Sequence, residues 1–508
     1  MSNVFMNGLK NANNFAVTEN GALTHKSTMD NLMDLFAMGA AYRTRSDEDC
    51  ILLFKNAYLD NPTYALKCLF YIADCRGGQG ERRFFRVCAK WLAGFDSEAM
   101  KRNLIHIPEY RRWDDLFVFI GTPLEADALN IVKHQLALDA QCKTPSLLAK
   151  WMPSENTSSA KTVKTAKVVR KYLGMSPKQY RKVLSALRAR INVLERLMSE
   201  GRWDEIEFDK IPSKAGLKYK NAFARHDIER MKKNPEVKTY ADFAKDTTTK
   251  VNAKDLYPYE VVDKALHTNV STLDNTDRLM VNKFWDNLEN YFQDKHFNAL
   301  AVVDTSGSMS WSGGAAAPIN VAISLGLYCA ERAQGPFAGH YVSFSARPQL
   351  IETKGVDFVD KVRRIYRTNL CENTNIEATF DMLLNTAIAN RCTQDDLPQN
   401  LIVISDMEFD RGSASSYGYG YATKPSAQVV TLMERIRAKW AAHGYRMPHL
   451  IYWNVQARQD NIPEDIGCGL VSYVSGMSPS IFDTIMSGKT GYELMMEKLN
   501  AERYAVIG

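Results

Sequence analysis

Asp304, Ser306 and Ser308 stand at alternate positions directly after the apolar run 299–303. That run has the length and composition of a strand buried on both faces, and the polar residues begin where such a strand leaves its sheet. Ligands gather at the carboxyl ends of parallel strands. One carboxylate and two hydroxyls suit a hard divalent cation such as Mg2+ (or Mn2+), which takes oxygen ligands and gives up its waters reluctantly, so coordination positions stay open. The competing structural reading has the same three residues capping the following helix, a role their types favour. Two catalytic readings fail on spacing. A dehalogenase-type phosphatase needs a second Asp two residues after the first, where this chain has Ser306, and a serine-hydrolase elbow needs a Gly before Thr305-Ser306-Gly307. The expectation is a protein that is not an enzyme.

The pattern Asp304-x-Ser306-x-Ser308 resembles the metal-ion-dependent adhesion site (MIDAS) of von Willebrand factor A domains. The resemblance implies a Thr from a second loop and an Asp at the end of a later strand. Asn373-Thr374-Asn375 precedes a helical run at 376–389, and the apolar strand 401–405 ends in Asp406. The resemblance therefore assigns Asp304, Ser306, Ser308, Thr374 and Asp406 as metal ligands, with an acidic residue of a protein partner completing the site.

The elements around these residues alternate. Strands at 298–303, 340–345, 349–352, 401–405, 449–455 and 469–474 are interleaved with helices at 319–332, 358–365, 376–389 and 426–443, and helices near Ile481 and Tyr492 close the chain. This is a doubly wound α/β pattern, placed at 293–508. The Gly-, Ser- and Tyr-rich stretch 408–425 reads as a loop beside Asp406. Residues 1–292 read instead as an all-α, helical-repeat domain, with amphipathic stretches at 46–57, 61–73, 82–92, 126–139, 161–173 and 177–199 and no fixed sequence period. The last of these begins with Ser176 as N-cap and Pro177 at the first position, and stops before Gly201. Its apolar face holds Tyr180, Val183, Leu184, Leu187, Ile191, Leu194 and Met198, leaving Lys178, Arg181, Lys182 and Arg188 toward solvent.

Charge separates the halves. Residues 301–508 carry 18 Lys+Arg against 21 Asp+Glu, while residues 1–300 carry 46 against 37. The excess concentrates at 149–192, where eleven basic residues meet one acid, Glu155. No apolar stretch approaches the roughly 20 residues of a membrane span, and the first 20 residues lack a signal core. A cytoplasmic protein without membrane contact is the expectation. Nine scattered cysteines, with no Cys-x-x-Cys pair, read as reduced thiols.

Lys161, Lys164, Lys167 and Lys171 repeat at three, three and four, so one helix edge presents cations at a pitch suited to phosphates. With Arg170, Lys178, Arg181, Lys182, Arg188 and Arg190 they form the expected RNA-binding set, against the plain reading of a solvated basic helix pair. Trp151, Tyr172 and Tyr180 lie among these charges, Tyr180 on the apolar side. Arg76-Gly-Gly-Gln-Gly-Glu-Arg-Arg83 lacks the Gly-Lys-Ser/Thr ending of a P-loop, which argues against nucleotide hydrolysis. That block, together with Ile107-Pro-Glu-Tyr-Arg-Arg-Trp-Asp-Asp-Leu116, Lys150-Trp-Met-Pro-Ser154 and Ile211-Pro-Ser213, resembles an uncharacterised family of phages, bacteria and plants. That family is similar in turn to the TROVE module plus A domain of Ro ribonucleoprotein autoantigens. The resemblance implies a ring of helical repeats holding single-stranded or structured small RNA, closed by the A domain. The alternative is a metal-dependent protein adaptor, working with a ring ATPase and without nucleic acid.

Overall fold

The computed structural model describes residues 13–191, 193–268, 272–273, 275–293, 295–310, 314–344, 347–368, 374–411, 430–464 and 470–508. Among them, β1 (Phe15–Val17) and β2 (Leu23–His25) pair as an amino-terminal hairpin. Six further strands, β3 (Ala299–Asp304), β4 (His340–Phe344), β5 (Gln349–Glu352), β6 (Asn400–Ser405), β7 (His449–Asn454) and β8 (Val471–Ser475), form one sheet in the order β5-β4-β3-β6-β7-β8. All neighbours run parallel except the edge strand β5, which is antiparallel to β4. The carboxyl-terminal part is thus α/β with a mixed six-stranded sheet, and the amino-terminal part is helical.

Every residue of β3, β7 and β8 is buried, because helices cover both faces. Alternate side chains enter two different cores. Leu300, Val302, Leu401, Val403, Leu450 and Tyr452 join a cluster that includes the amino-terminal helices up to Pro177–Arg190. Ala301, Val303, Ile402, Ile404, Ile451 and Trp453 join a second cluster fed by residues 194–297 and by the helices Pro318–Arg332 and Phe358–Thr368. Gly326 lets the first of these helices lie on the sheet, since a Cβ there would meet Val303 Cγ2 at 2.4 Å.

The amino-terminal helices start where their caps stand. Ser46, Asn61, Ser159 and Ser176 each accept a bond from the third amide of the helix that follows. One expectation is corrected. The helix expected to run unbroken over 177–199 ends at Arg190 and resumes as Leu194–Ser199. Packing supplies the reason: Tyr180, Leu184 and Leu187 belong to the first core, whereas Leu194 and Leu197 belong to the second, and no straight helix serves both. The polar segment 233–290 is folded, with helices Tyr240–Lys245, Pro258–His267 and Thr276–Asp286. Arg278 anchors it to the α/β part through two bonds to Asp357, at 2.6 and 2.8 Å.

Both ends of the described chain cross to the other part. The hairpin bridges Gly21 to Asp410 and His25 to Ile462. At the far end Arg503 pairs with the buried Asp74, Tyr504 donates to the same carboxylate at 2.9 Å, and its ring stacks on Tyr110. Among the described residues the cysteines are free, and no helix is long and apolar enough to cross a membrane.

Removing one partner of a buried ion pair strands the other charge, at a cost of about 3 kcal/mol. Arg503→Ala is therefore expected to lower the unfolding free energy by about that amount, shifting the urea midpoint down with the slope unchanged, and to keep a single transition, since the two cores share one sheet. A separate early transition of the helical part, followed by circular dichroism and tryptophan fluorescence, would contradict the shared core.

Candidate functional site

The register of β3 with β6 sets Asp304 beside Ser405, whose hydroxyl donates to Asp304 Oδ2 at 2.5 Å. Asp304 Oδ1 accepts from the Ser306 amide at 2.9 Å, and Ser306 Oγ lies 3.0 Å from Ser308 Oγ. Past β6 the chain turns sharply: Met407 is held at φ 65°, a left-handed conformation uncommon for its type, with its amide on Ser405 Oγ. The Glu408 amide then donates to Asp406 Oδ1 at 3.2 Å. Thr374 is buried, and its Oγ1 accepts from Asn20 Nδ2 at 3.2 Å.

Asp304 is fully buried, and desolvation together with the Asp406 charge pushes its pKa up to about 7. Burial likewise raises Glu408 to about 7; its carboxylate accepts from the Glu19 amide at 2.7 Å and from Asn461 at 2.8 Å. Arg458 Nη2 donates to Asp406 Oδ2 at 2.7 Å. The donor set of carboxylates and hydroxyls, without sulfur or imidazole, fits a hard divalent cation, which would offset the charge of Asp304 buried near Asp406. Asp304, Ser306, Ser308, Thr374 and Asp406 would hold it, and it would supply charge neutralisation and an open coordination position. A 3-10 turn, Gly307–Ser310, follows Ser306 directly, and the α-helix after it, Pro318–Arg332, begins after Ala317 and has no side-chain cap.

The basic residues divide differently from the expected set. Lys161, Lys164, Lys167 and Lys171 are exposed along the helix Ala160–Tyr172, and Lys178, Arg181 and Lys182 are exposed on the next. Arg188, expected toward solvent, is half-buried and donates to the carbonyls of Ala149 and Met152 and to Ser154 Oγ; burial lowers its pKa. Arg170 pairs with Glu155 at 2.7 Å, and Arg190 caps the carbonyls of Asp139 and Ala140. Arg188 and Arg190 reach helix ends that need donors, and Arg170 ties Glu155 to the Met175 carbonyl, so all three make contacts within their own fold. Tyr180 is core, with its hydroxyl on the Pro153 carbonyl, and Tyr172 bonds the Ala126 carbonyl.

A cavity of about 1420 Å³ opens on another face of the helical part. Ten Lys or Arg line it against four Asp or Glu, and Trp113, Trp151, Tyr219 and Tyr257 stand in its wall. Of the expected RNA-binding residues only Arg181 and Arg188 reach it. Cations cover its rings: Arg112 lies 4.1 Å from the Trp151 centroid and Lys214 lies 4.6 Å from that of Tyr257. The glycines of the Arg76 block serve close packing at its edge, since a Cβ on Gly78 would stand 1.9 Å from the Tyr71 carbonyl oxygen and one on Gly80 would stand 2.1 Å from the Tyr257 hydroxyl.

The four sequence blocks contained much of this wall, namely Arg76, Arg111, Arg112, Trp113, Lys150, Trp151 and Ser213. Lys218, Tyr219 and Arg196 carried no local signal, because only the folding of distant helices brings them there. Glu19, Asn20, Glu408 and Arg458 were missed at the other site for the same reason. Of the stretch 408–425, only 408–411 lie within the described residues.

A family model described as Domain of unknown function (DUF2828) matches residues 18–110 and 124–296, more than half of the chain. The chain belongs to the DUF2828 family. A second model, Domain of unknown function (DUF7788), matches residues 298–504 of this DUF2828 protein. The uncharacterized protein L728 of Acanthamoeba polyphaga mimivirus is 28% identical over 521 aligned residues, covering 94% of this chain and 85% of that protein. Among solved structures, the crystal structure of the Deinococcus radiodurans RO (RSR) protein covers 91% of this chain and 100% of that one, at 13% identity and a TM-score of 0.42.

Asp304→Asn removes a buried charge, so in chelator-treated DUF2828 protein it is expected to raise the melting temperature. In the wild type, millimolar Mg2+ or Mn2+ should raise the melting temperature by mass action, and in this variant it should not. A variant that responds to metal as the wild type does would rule out Asp304 as a ligand.

Proposed function

We propose that this protein is a non-enzymatic RNA-binding scaffold, in which a TROVE-like helical part grips RNA and a von Willebrand A-type α/β domain carries a Mg2+- or Mn2+-dependent ligand site. The observation that carries the RNA reading is the convergence of four separated sequence blocks on one large cavity with excess positive charge and cation-covered aromatic rings. Phosphates gain from the cations by counterion release, and unpaired bases gain from the rings by stacking. The cavity exceeds the usual few hundred to about 1,000 Å³ of a small-ligand pocket, which favours a polymer. The exposed Lys161 stripe would contribute long-range attraction rather than seating.

For the metal-dependent site, the support is the set of oxygen donors at the carboxyl ends of β3 and β6, with Asp304 buried and without a cation. A protein adaptor without nucleic acid remains the outcome if protein purified from cells carries no RNA absorbance and binds none.

Binding to single-stranded RNA is expected to weaken with salt at a log-log slope of about −0.7 per phosphate contact. Replacing Lys150, Arg181 and Lys218 by Gln together should flatten that slope by about 2 and lower affinity, whereas replacing Lys161, Lys164, Lys167 and Lys171 by Ser should change it less. The reverse ranking, read by fluorescence anisotropy, would move the interface from the cavity to the stripe.

A further inference from the structure

Four arginines of the helical part crowd two adjacent carboxylates at the edge of the cavity. Arg82 reaches both, with Nη2 on Asp114 and Nε 3.0 Å from Asp115 Oδ1, and Arg86, one helical turn later, reaches the same pair. Arg111 Nε lies 3.4 Å from Asp115 Oδ2, and Arg112 Nε lies 3.2 Å from Asp114 Oδ1. Arg82, Arg111 and Arg112 line the cavity, whereas Asp114 and the fully buried Asp115 do not. The carboxylates therefore stand behind the cations that form the wall, and they fix the guanidinium planes before any ligand arrives.

Four guanidinium charges meeting two carboxylates leave an excess of two. The acids of the cavity wall do not offset it. Among the described residues Glu155 pairs with Arg170, Glu200 pairs with Arg196 and Arg202, and neither Glu195 nor Asp255 makes an ion pair with the group. The buried Glu81, near Arg111, is balanced by Arg43. Donors are in excess as well. Each guanidinium carries five N–H groups and each carboxylate about four acceptor positions, and the buried Nε atoms of Arg111 and Arg112 make no hydrogen bond.

A surplus of two positive charges suits a phosphomonoester, which carries about −1.5 to −2 at neutral pH, better than a phosphodiester within a strand, which carries one charge. Access points the same way. Arg111 is only 8% exposed, so the innermost cation is open to a chain end, whereas an internal phosphate arrives with a sugar on either side. Next to it, the Arg112 guanidinium lies 4.1 Å from the Trp151 centroid. A guanidinium backed by an indole offers its other face to a base.

We propose that Arg82, Arg111 and Arg112 form a seat for the terminal phosphomonoester of an RNA strand, with the terminal base against Arg112 and Trp151. This inference rests on the RNA-binding reading. Asp114 and Asp115 are positioning residues that hold the three guanidinium groups from behind.

Fluorescence anisotropy of the full chain tests this with one short single-stranded RNA in three forms, carrying a 5′-phosphate, a 3′-phosphate or a hydroxyl at both ends. One of the phosphorylated forms is expected to bind about tenfold tighter than the hydroxyl form, the gain typical of hydrogen bonds to a charged group. Arg82→Gln and Arg112→Gln, both at half-buried positions, are each expected to cut that preference to about threefold or less while keeping most of the binding of the hydroxyl form. A merely structural role would lower all three affinities together and leave their ratio unchanged, and a preference that persists in both variants would overturn the seat. Equal binding of the three forms by the wild type would overturn it too and leave the RNA reading standing; no binding of any form would remove the RNA reading itself. Adenosine 5′-monophosphate as competitor separates the two sources of the same chemistry: tight binding of the mononucleotide, with no gain for either phosphorylated RNA, would overturn the strand end and give the seat to a free nucleotide.

Discussion

A parallel sheet buried on both faces has to be covered twice, and in this protein the cover comes from opposite ends of the helical part. The strands send alternate side chains into two cores, one shared with the helices before residue 191 and the other with those after 193. Hydrophobic burial is proportional to the apolar area removed from water, so pulling the halves apart would expose both faces of the sheet at once. That requirement explains the break at Ile191 and the folded crossover at 233–290. It also explains why the first and last described residues dock across the boundary. The α/β part is held as a wedge between two helical walls rather than tethered as a swinging module.

The same burial makes charge at the strand ends expensive, and the molecule treats its buried carboxylates in two ways. Asp74 is met by Arg503, Asp115 by Arg82, Arg86 and Arg111, Asp357 by Arg278, and Glu464 by Arg437. Each of these is a structural ion pair in which a guanidinium satisfies the carboxylate geometry. Asp304 differs. Among the described residues it has a hydroxyl and an amide and no cation, as the buried Asp34 has the Ser27 hydroxyl and the Thr28 amide, and to this it adds the nearby charge of Asp406.

Much of the fold could be read from the sequence because its strongest signals are local. Apolar runs of five or six residues marked β3, β6, β7 and β8, since strands buried on both faces carry no alternation to obscure them. The cap read at Ser176 fixed its helix start at Pro177, and the amphipathic stretches expected from 46, 61 and 161 begin within a residue of the observed helices. What escaped was decided at a distance. Arg188 has the spacing of an exposed residue on an amphipathic helix, yet it points at carbonyls 36 and 39 positions earlier in the chain. The hairpin at 15–25 is only three residues per strand and acquires its meaning from contacts with residues near 408, a separation that no pattern within the hairpin encodes.

The cavity shows the same division between structural and available charge, and this division orders its chemistry. Asp114 and Asp115 pair with Arg82, Arg111 and Arg112 within the wall, so those guanidinium groups arrive already oriented and lose little side-chain entropy when a phosphate approaches. Lys150, Arg181 and Lys218 have no carboxylate partner among the described residues and supply the unbalanced field. Trp151 is covered by the Arg112 guanidinium, so a base that stacks there has to displace or sandwich that cation. In the proposed RNA complex, phosphate capture by these unpaired cations would precede base stacking. Since every nucleotide carries a phosphate and every base presents a π face, a strand seated on such a wall, as proposed, would be held with little regard to its sequence.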